Sequence, residues 1–210
     1  ADALAFARQR FSLPEGVIYL DGNSLGALPK ATAATLAHAV EQEWGQGLIR
    51  SWNQANWVGL PRATGDRIAA LLGATPGEVI AADSTSVNIF KLLAAAVDLA
   101  VKTDATRNVV ISERGNFPTD LYMVQGLQAL LGTIELRLVE DGGIADAFDN
   151  SVAVALVTQV DYRSGRNQDM GDLNRRAKLA GSRIIWDLSH SAGAVPVDLN
   201  GSGAELAVGC

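Results

Sequence analysis

Cysteine is nearly missing: one residue, Cys210, in a chain of 210. That excludes a disulfide framework or a CxxC metal motif within the sequence and fits a reducing compartment. Histidine is almost as scarce, and His38 and His190 stand too far apart for a His-rich metal site to be expected. Positive charge is in deficit: 17 Lys and Arg against 23 Asp and Glu leave a formal net charge of −6. No basic face for nucleic acid is predicted, so an anionic small molecule must be held by local devices such as helix N-termini or single arginines. Long apolar runs are missing too. The longest, Leu92 to Val101, contains Asp98 and is too short for a bilayer. The residues before Phe11 include Asp2, Arg8 and Arg10 with no apolar run behind them, which is neither signal peptide nor membrane anchor. There is no GxGxxG after a strand, no Walker A and no GxSxG; Ser24 lacks the flanks of a nucleophile elbow. A soluble, cytoplasmic protein with no nucleic-acid or membrane partner is expected.

What is present is apolar material, 48% of residues, enough for one sizeable core. Short β-like runs alternate with longer helical ones. Strands are predicted at Val17–Leu20, Val79–Ala82, Asn108–Ser112, Ile134–Val139, Val152–Thr158 and Arg183–Trp186. Helices are predicted over Lys30–Trp44, Pro61–Leu72, Val87–Val101, Pro118–Leu131 and Asp172–Ala180, with Pro61 and Pro118 at opening positions and Gly73 and Gly181 at closing ones. This alternation predicts an α/β fold of three layers, a mostly parallel sheet with helices on both faces. Ala204 to Cys210 reads as a strand entering a core rather than as a polar chain end, so the domain is expected to be truncated.

In such sheets ligands bind beyond the carboxyl ends of the strands, so the residues just after each strand carry the information. Ser84-Thr85-Ser86 opens a helix; it is an N-cap in the plainest reading and a phosphate cradle in the sharper one. Asp187, with His190 three residues on, either caps a short helix or holds the ring nitrogen of a cofactor protonated. Phe117 before Pro118 is a hydrophobic staple or a lid over an aromatic ring. Thr158 satisfies nearby backbone or contacts a ligand. Trp44, Trp52 and Trp57 read most simply as core or interface anchors, and Arg50 and Arg163 as surface cations.

These signals combine with longer motifs: YLDGNSLG from Tyr19, WGQGLIRSW from Trp44, DSTSVNIF from Asp83, NFPTDLY from Asn116, DYRSG from Asp161 and IWDLSHSAGAVPVD from Ile185. On these the sequence resembles the kynureninases along its whole length. The resemblance implies the large domain of a fold-type I pyridoxal-phosphate (PLP) enzyme, with residues 1–50 contributing to dimer and active site and 51–210 forming part of the cofactor-binding domain. It implies that Thr85 and Ser86 bind the cofactor phosphate and that Phe117 stacks on its ring, with Pro118, Thr119 and Asp120 completing that loop. Thr158 would lie near the phenolic oxygen, Asp187 would pair with the pyridinium nitrogen and His190 would support it. Ser24 and Trp52 would line the substrate side. The implied reaction is hydrolysis of kynurenine or 3-hydroxykynurenine to an anthranilate and alanine by a homodimer, in tryptophan catabolism and toward NAD biosynthesis. The lysine that would carry the cofactor has no match among Lys30, Lys91, Lys102 and Lys178 and is expected beyond Cys210, leaving this segment inactive alone. Two alternatives remain: another fold-type I enzyme, such as a cysteine desulfurase or aminotransferase, and a truncated, non-catalytic binding module.

Overall fold

Apolar strands alternating with amphipathic helices build a parallel sheet in the computed structural model, which describes residues 2–210. Contacts divide the chain into two units, meeting in sequence between Pro61 and Arg62.

In the first unit, a 3-10 turn (Ala5–Arg10) leads to β1 (Phe11–Ser12), which pairs antiparallel with β2 (Leu28–Pro29). Helix α1 (Thr32–His38) follows. The single helix expected over Lys30–Trp44 is not continuous: Ala39–Gly47 winds more widely, with π-type geometry, before a 3-10 turn (Leu48–Arg50) and α2 (Ser51–Gln54). The widening has a local cause. Ser51 Oγ folds back to donate to the Glu43 carbonyl at 2.5 Å, and a Cβ at Gly47 would stand 1.9 Å from that hydroxyl. Glycine leaves the room that this turn needs. The expected strand at Val17–Leu20 does not form; these residues have no regular structure, are exposed and pair with no strand.

The second unit contains α3 (Leu60–Leu72) from Arg62 on, α4 (Thr85–Thr103), β3 (Val109–Glu113), α5 (Pro118–Leu131) and β4 (Glu135–Val139). Then come β5 (Val152–Thr158), α6 (Met170–Leu179), β6 (Arg183–Asp187), α7 (Leu199–Ser202) and β7 (Leu206–Val208). The strands form one sheet in the order β4-β3-β5-β6-β7, and every pairing is parallel. The strand expected at Val79–Ala82 is absent from it. That backbone is taken instead by α3: a Cβ on Gly65 would lie 2.0 Å from the Val79 carbonyl oxygen, so helix and segment pack backbone to backbone.

Alternation along each strand fills two cores. On one face Ile89, Leu93 and Val97 of α4, with Val124 and Leu127 of α5, pack on Val110, Val154, Leu156 and Ile185. On the other, Leu72 of α3 and Leu173 and Ala177 of α6 pack on Ile111, Val157 and Trp186. Trp186 is wholly buried, and its indole N–H donates to Asn174 Oδ1 on α6 at 2.9 Å. Burying one such side chain stabilises by about 1.5–3 kcal/mol, provided its polar atom finds a partner.

The connection from α4 to β3 sets the direction of the site. Only Asp104 to Asn108 separate the end of α4 from the start of β3, so the helix ends at the amino edge of the sheet. Its 19 residues span about 28 Å. Helix α4 therefore begins beyond the carboxyl edge, where α5 also begins, directly after β3.

Candidate active site

The chain leaves β3 toward β4 on one side and resumes at β5 on the other. This reversal opens a crevice at the carboxyl ends of β3 and β5, and side chains from both strand ends meet there. Ser112 Oγ donates to the Leu156 carbonyl across β3 and β5 at 2.8 Å. Asn116 donates through Nδ2 to Ser112 Oγ at 3.0 Å, and its Oδ1 accepts from Thr158 Oγ1 at 2.5 Å and from the Phe117 amide at 2.7 Å. Asn116 thus ties β3, β5 and the start of α5 together, a role not visible in the sequence beyond its place in the NFPTDLY stretch.

Thr158 lies opposite Asp187 in the β5–β6 register. Asp187 is buried; its Oδ1 accepts from the Ser189 amide at 2.9 Å and the Ser189 hydroxyl at 2.6 Å. The plain reading of Asp187 as a turn cap is therefore met by one carboxylate oxygen. Beside it, in the first turn of α5, sits Asp120, also buried. Burial, and secondly the adjacent Asp187 charge, push the Asp120 carboxyl up to about 8. At neutral pH Asp120 keeps its proton and can donate it to Asp187, while its Oδ2 has no partner among the described residues.

Phe117 does not form the hydrophobic staple. It occupies the N-cap position of α5, with Pro118 at N1, and turns its ring to Tyr162, edge-on with centroids 5.2 Å apart. The His190 ring lies 6.1 Å from Phe117 and 6.0 Å from Tyr162. His190 Nδ1 is buried without a partner, and no hydrogen bond joins it to Asp187 among the described residues. Thr119 is exposed on the same first turn.

Ser84 is the N-cap of α4, its Oγ accepting from the Val87 amide at 3.4 Å. Thr85 and Ser86 occupy the first turn, half-buried. Amides in a first turn have no intrahelical acceptor and face the positive end of the helix dipole, so this end of α4 suits an anion. Ser24 and Trp52 belong to the first unit, where Ser24 is exposed and Trp52 packs edge-on against Trp57, centroids 5.9 Å apart. Among the described residues no group of three or more His, Cys, Asp or Glu is placed to hold a metal, and no helix is long and apolar enough to cross a membrane.

Beyond one sheet edge, then, lie two neighbouring buried carboxyls, an aromatic wall, two buried polar atoms without a partner among the described residues, and a helix N-terminus carrying hydroxyls. These fit an aromatic, cationic ring bearing a phosphate. Solved structures with this fold include the cystine C–S lyase C-DES with glycine covalently linked to its PLP cofactor; its TM-score is 0.79 at 16% identity, over 96% of this chain and 54% of that one. The apo cysteine desulfurase from Thermococcus onnurineus NA1 has a TM-score of 0.74 at 20% identity, over 96% of this chain and 51% of that one. The fold is thus that of the large domain of fold-type I PLP enzymes.

Sequence carries the assignment further. The chain is 54% identical to a kynureninase of Burkholderia pseudomallei (strain 1106a) and 49% identical to one of Pseudomonas fluorescens, each over the whole of this chain. No family model matches. The chain is similar to these kynureninases along its whole length and spans about half the length of the curated relatives it matches, 51% in both cases.

Proposed function

We propose that the protein to which this segment belongs hydrolyses kynurenine or 3-hydroxykynurenine to the matching anthranilate and L-alanine, using PLP. The buried Asp120–Asp187 pair carries this reading, since a carboxylate held without solvent at a strand end is what a protonated pyridine nitrogen requires. When bound, the cofactor supplies an electron sink for the carbon whose bond to the side-chain carbonyl breaks.

The chain's own residues bind and orient. Asp187 would accept from the ring nitrogen, and Asp120, protonated, would steady that carboxylate. The hydroxyls and first-turn amides of Thr85 and Ser86 would donate to the phosphate. Phe117 would cover one face of the ring, with Pro118 and Thr119 shaping the loop. Thr158, already oriented by Asn116, would contact the cofactor near its phenolic oxygen, and His190 would support the ring or Asp187. Ser24 and Trp52 contribute to the substrate side, in a homodimer acting in the cytoplasm within tryptophan catabolism.

The test uses the full-length protein. Kynurenine should yield fluorescent anthranilate, and Asp187→Ala should keep part of the bound cofactor but lose most turnover. A near-normal kcat in that variant would refute the role of Asp187. Sulfide release from cysteine, with no anthranilate from kynurenine, would move the protein to the desulfurase branch of the same fold.

A further inference from the structure

The segment Asp161–Gln168 follows β5 on the surface and buries no side chain, yet it is tied down more firmly than an exposed loop needs. Asp161 Oδ1 accepts from the Arg163 amide, the Ser164 amide and the Ser164 hydroxyl, while its backbone N–H donates to the Arg166 carbonyl at 2.9 Å. The outer tie is Glu113, a carboxylate buried at the carboxyl end of β3. Its Oε2 pairs with Arg166 at 2.5 Å, and its Oε1 accepts from Gln168 Nε2 at 2.9 Å and from the Gly142 amide at 2.7 Å. Burying a carboxylate is costly unless every oxygen is paired, and here each is.

Such a clamp adds nothing to the core, because the loop brings no apolar side chain inward. What it delivers is one ring. Tyr162 stands edge-on to Phe117 at 75° and 5.2 Å, tilted 6.0 Å from His190, with the Arg163 guanidinium 5.5 Å above its own face. Arg163 is itself fixed by the Gly115 carbonyl at 3.1 Å and by Asp141 at 3.3 Å.

We propose that Tyr162 is a positioning residue for Phe117: held by the Glu113–Arg166 clamp, it fixes the plane in which Phe117 meets the cofactor ring. Phe117 is half-exposed at a helix cap and has no deep packing of its own, so an edge-on partner removes rotamers that would otherwise leave the stacking face misaligned. The inference rests on the PLP reading above.

In the full-length protein, PLP affinity would be measured by absorbance titration, together with the circular dichroism of the bound cofactor and the rate of tryptic cleavage at Arg163 and Arg166. Tyr162→Ala should weaken PLP binding about two- to tenfold, the range of one aromatic pair, and reduce the cofactor's dichroism. Tyr162→Phe should restore both. Glu113→Gln should reproduce the dichroism of Tyr162→Ala and speed cleavage of the loop. Unchanged PLP affinity and dichroism in Tyr162→Ala would overturn the inference while leaving the function standing. A wild-type protein that takes up no PLP would overturn both.

Discussion

A carboxyl that keeps its proton near neutrality makes stability depend on pH in an unusual direction. An unfolded Asp120 releases its proton near pH 4, whereas the folded one holds it to about 8. Between those values the native chain binds more protons than the unfolded one, so this contribution is fully present below about pH 4 and is lost as pH rises toward 8. Asp120→Asn should flatten that fall, and its gain over wild type in urea midpoint should be larger at pH 8 than at pH 5. An equal gain at both values would remove Asp120 as the cause. Asp149 acts in the opposite sense: hydrogen bonds from Ser151, and secondly Arg137, hold it at about 2, so its contribution is present above pH 4 and lost as pH falls toward 2. The strand-end residues Thr158 and Asp187 were legible in the sequence because each closes an apolar run that reads as a strand. Asn116, Glu113 and Tyr162 were not. Their roles arise from bonds across more than forty residues, Thr158 to Asn116 and Gln168 to Glu113, which no local pattern encodes.

Among the elements, the helices with clear punctuation were the ones read best. Pro118 opens α5 as expected, Gly132 closes it in the left-handed conformation, and Ser84 caps α4. Ser84→Ala should cost about 1 kcal/mol in thermal or urea unfolding, the usual value of such a cap. The two missing strands, Val17–Leu20 and Val79–Ala82, show the limit of pattern: a β-like composition makes a strand only where a neighbouring edge is available. For Val79 the neighbour is a helix, and Gly65 is what admits it. Gly65→Ala would gain about 1 kcal/mol of helix propensity, yet it would drive a methyl into the Val79 carbonyl at 2.0 Å. Overpacking of this kind costs about 1–3 kcal/mol and needs a backbone shift, so the net change should be a lower unfolding midpoint. An equal or raised midpoint would show that the segment yields freely.

At the scale of the whole molecule, burial is uneven. In the first unit Ser51 is the one described residue that is fully buried, while the second unit fills both faces of its sheet. Opening free energies follow that distribution. In hydrogen exchange, amides of β3, β5 and β6 should be the slowest, and those before Pro61 should exchange faster by orders of magnitude. Uniform protection across both units would contradict the difference in packing.

Strand β6 sets Trp186 and Asp187 on opposite faces, one among aliphatic side chains and the other in the crevice. Sliding that strand by a single peptide would exchange them, lodging an indole beside the buried Asp120 carboxyl and a carboxylate among the aliphatic side chains of the other core. Two penalties of opposite chemistry guard the same alignment. Mispairing at this strand therefore has no nearly equivalent alternative, and the placement of Asp187 in the crevice is inherited from folding itself.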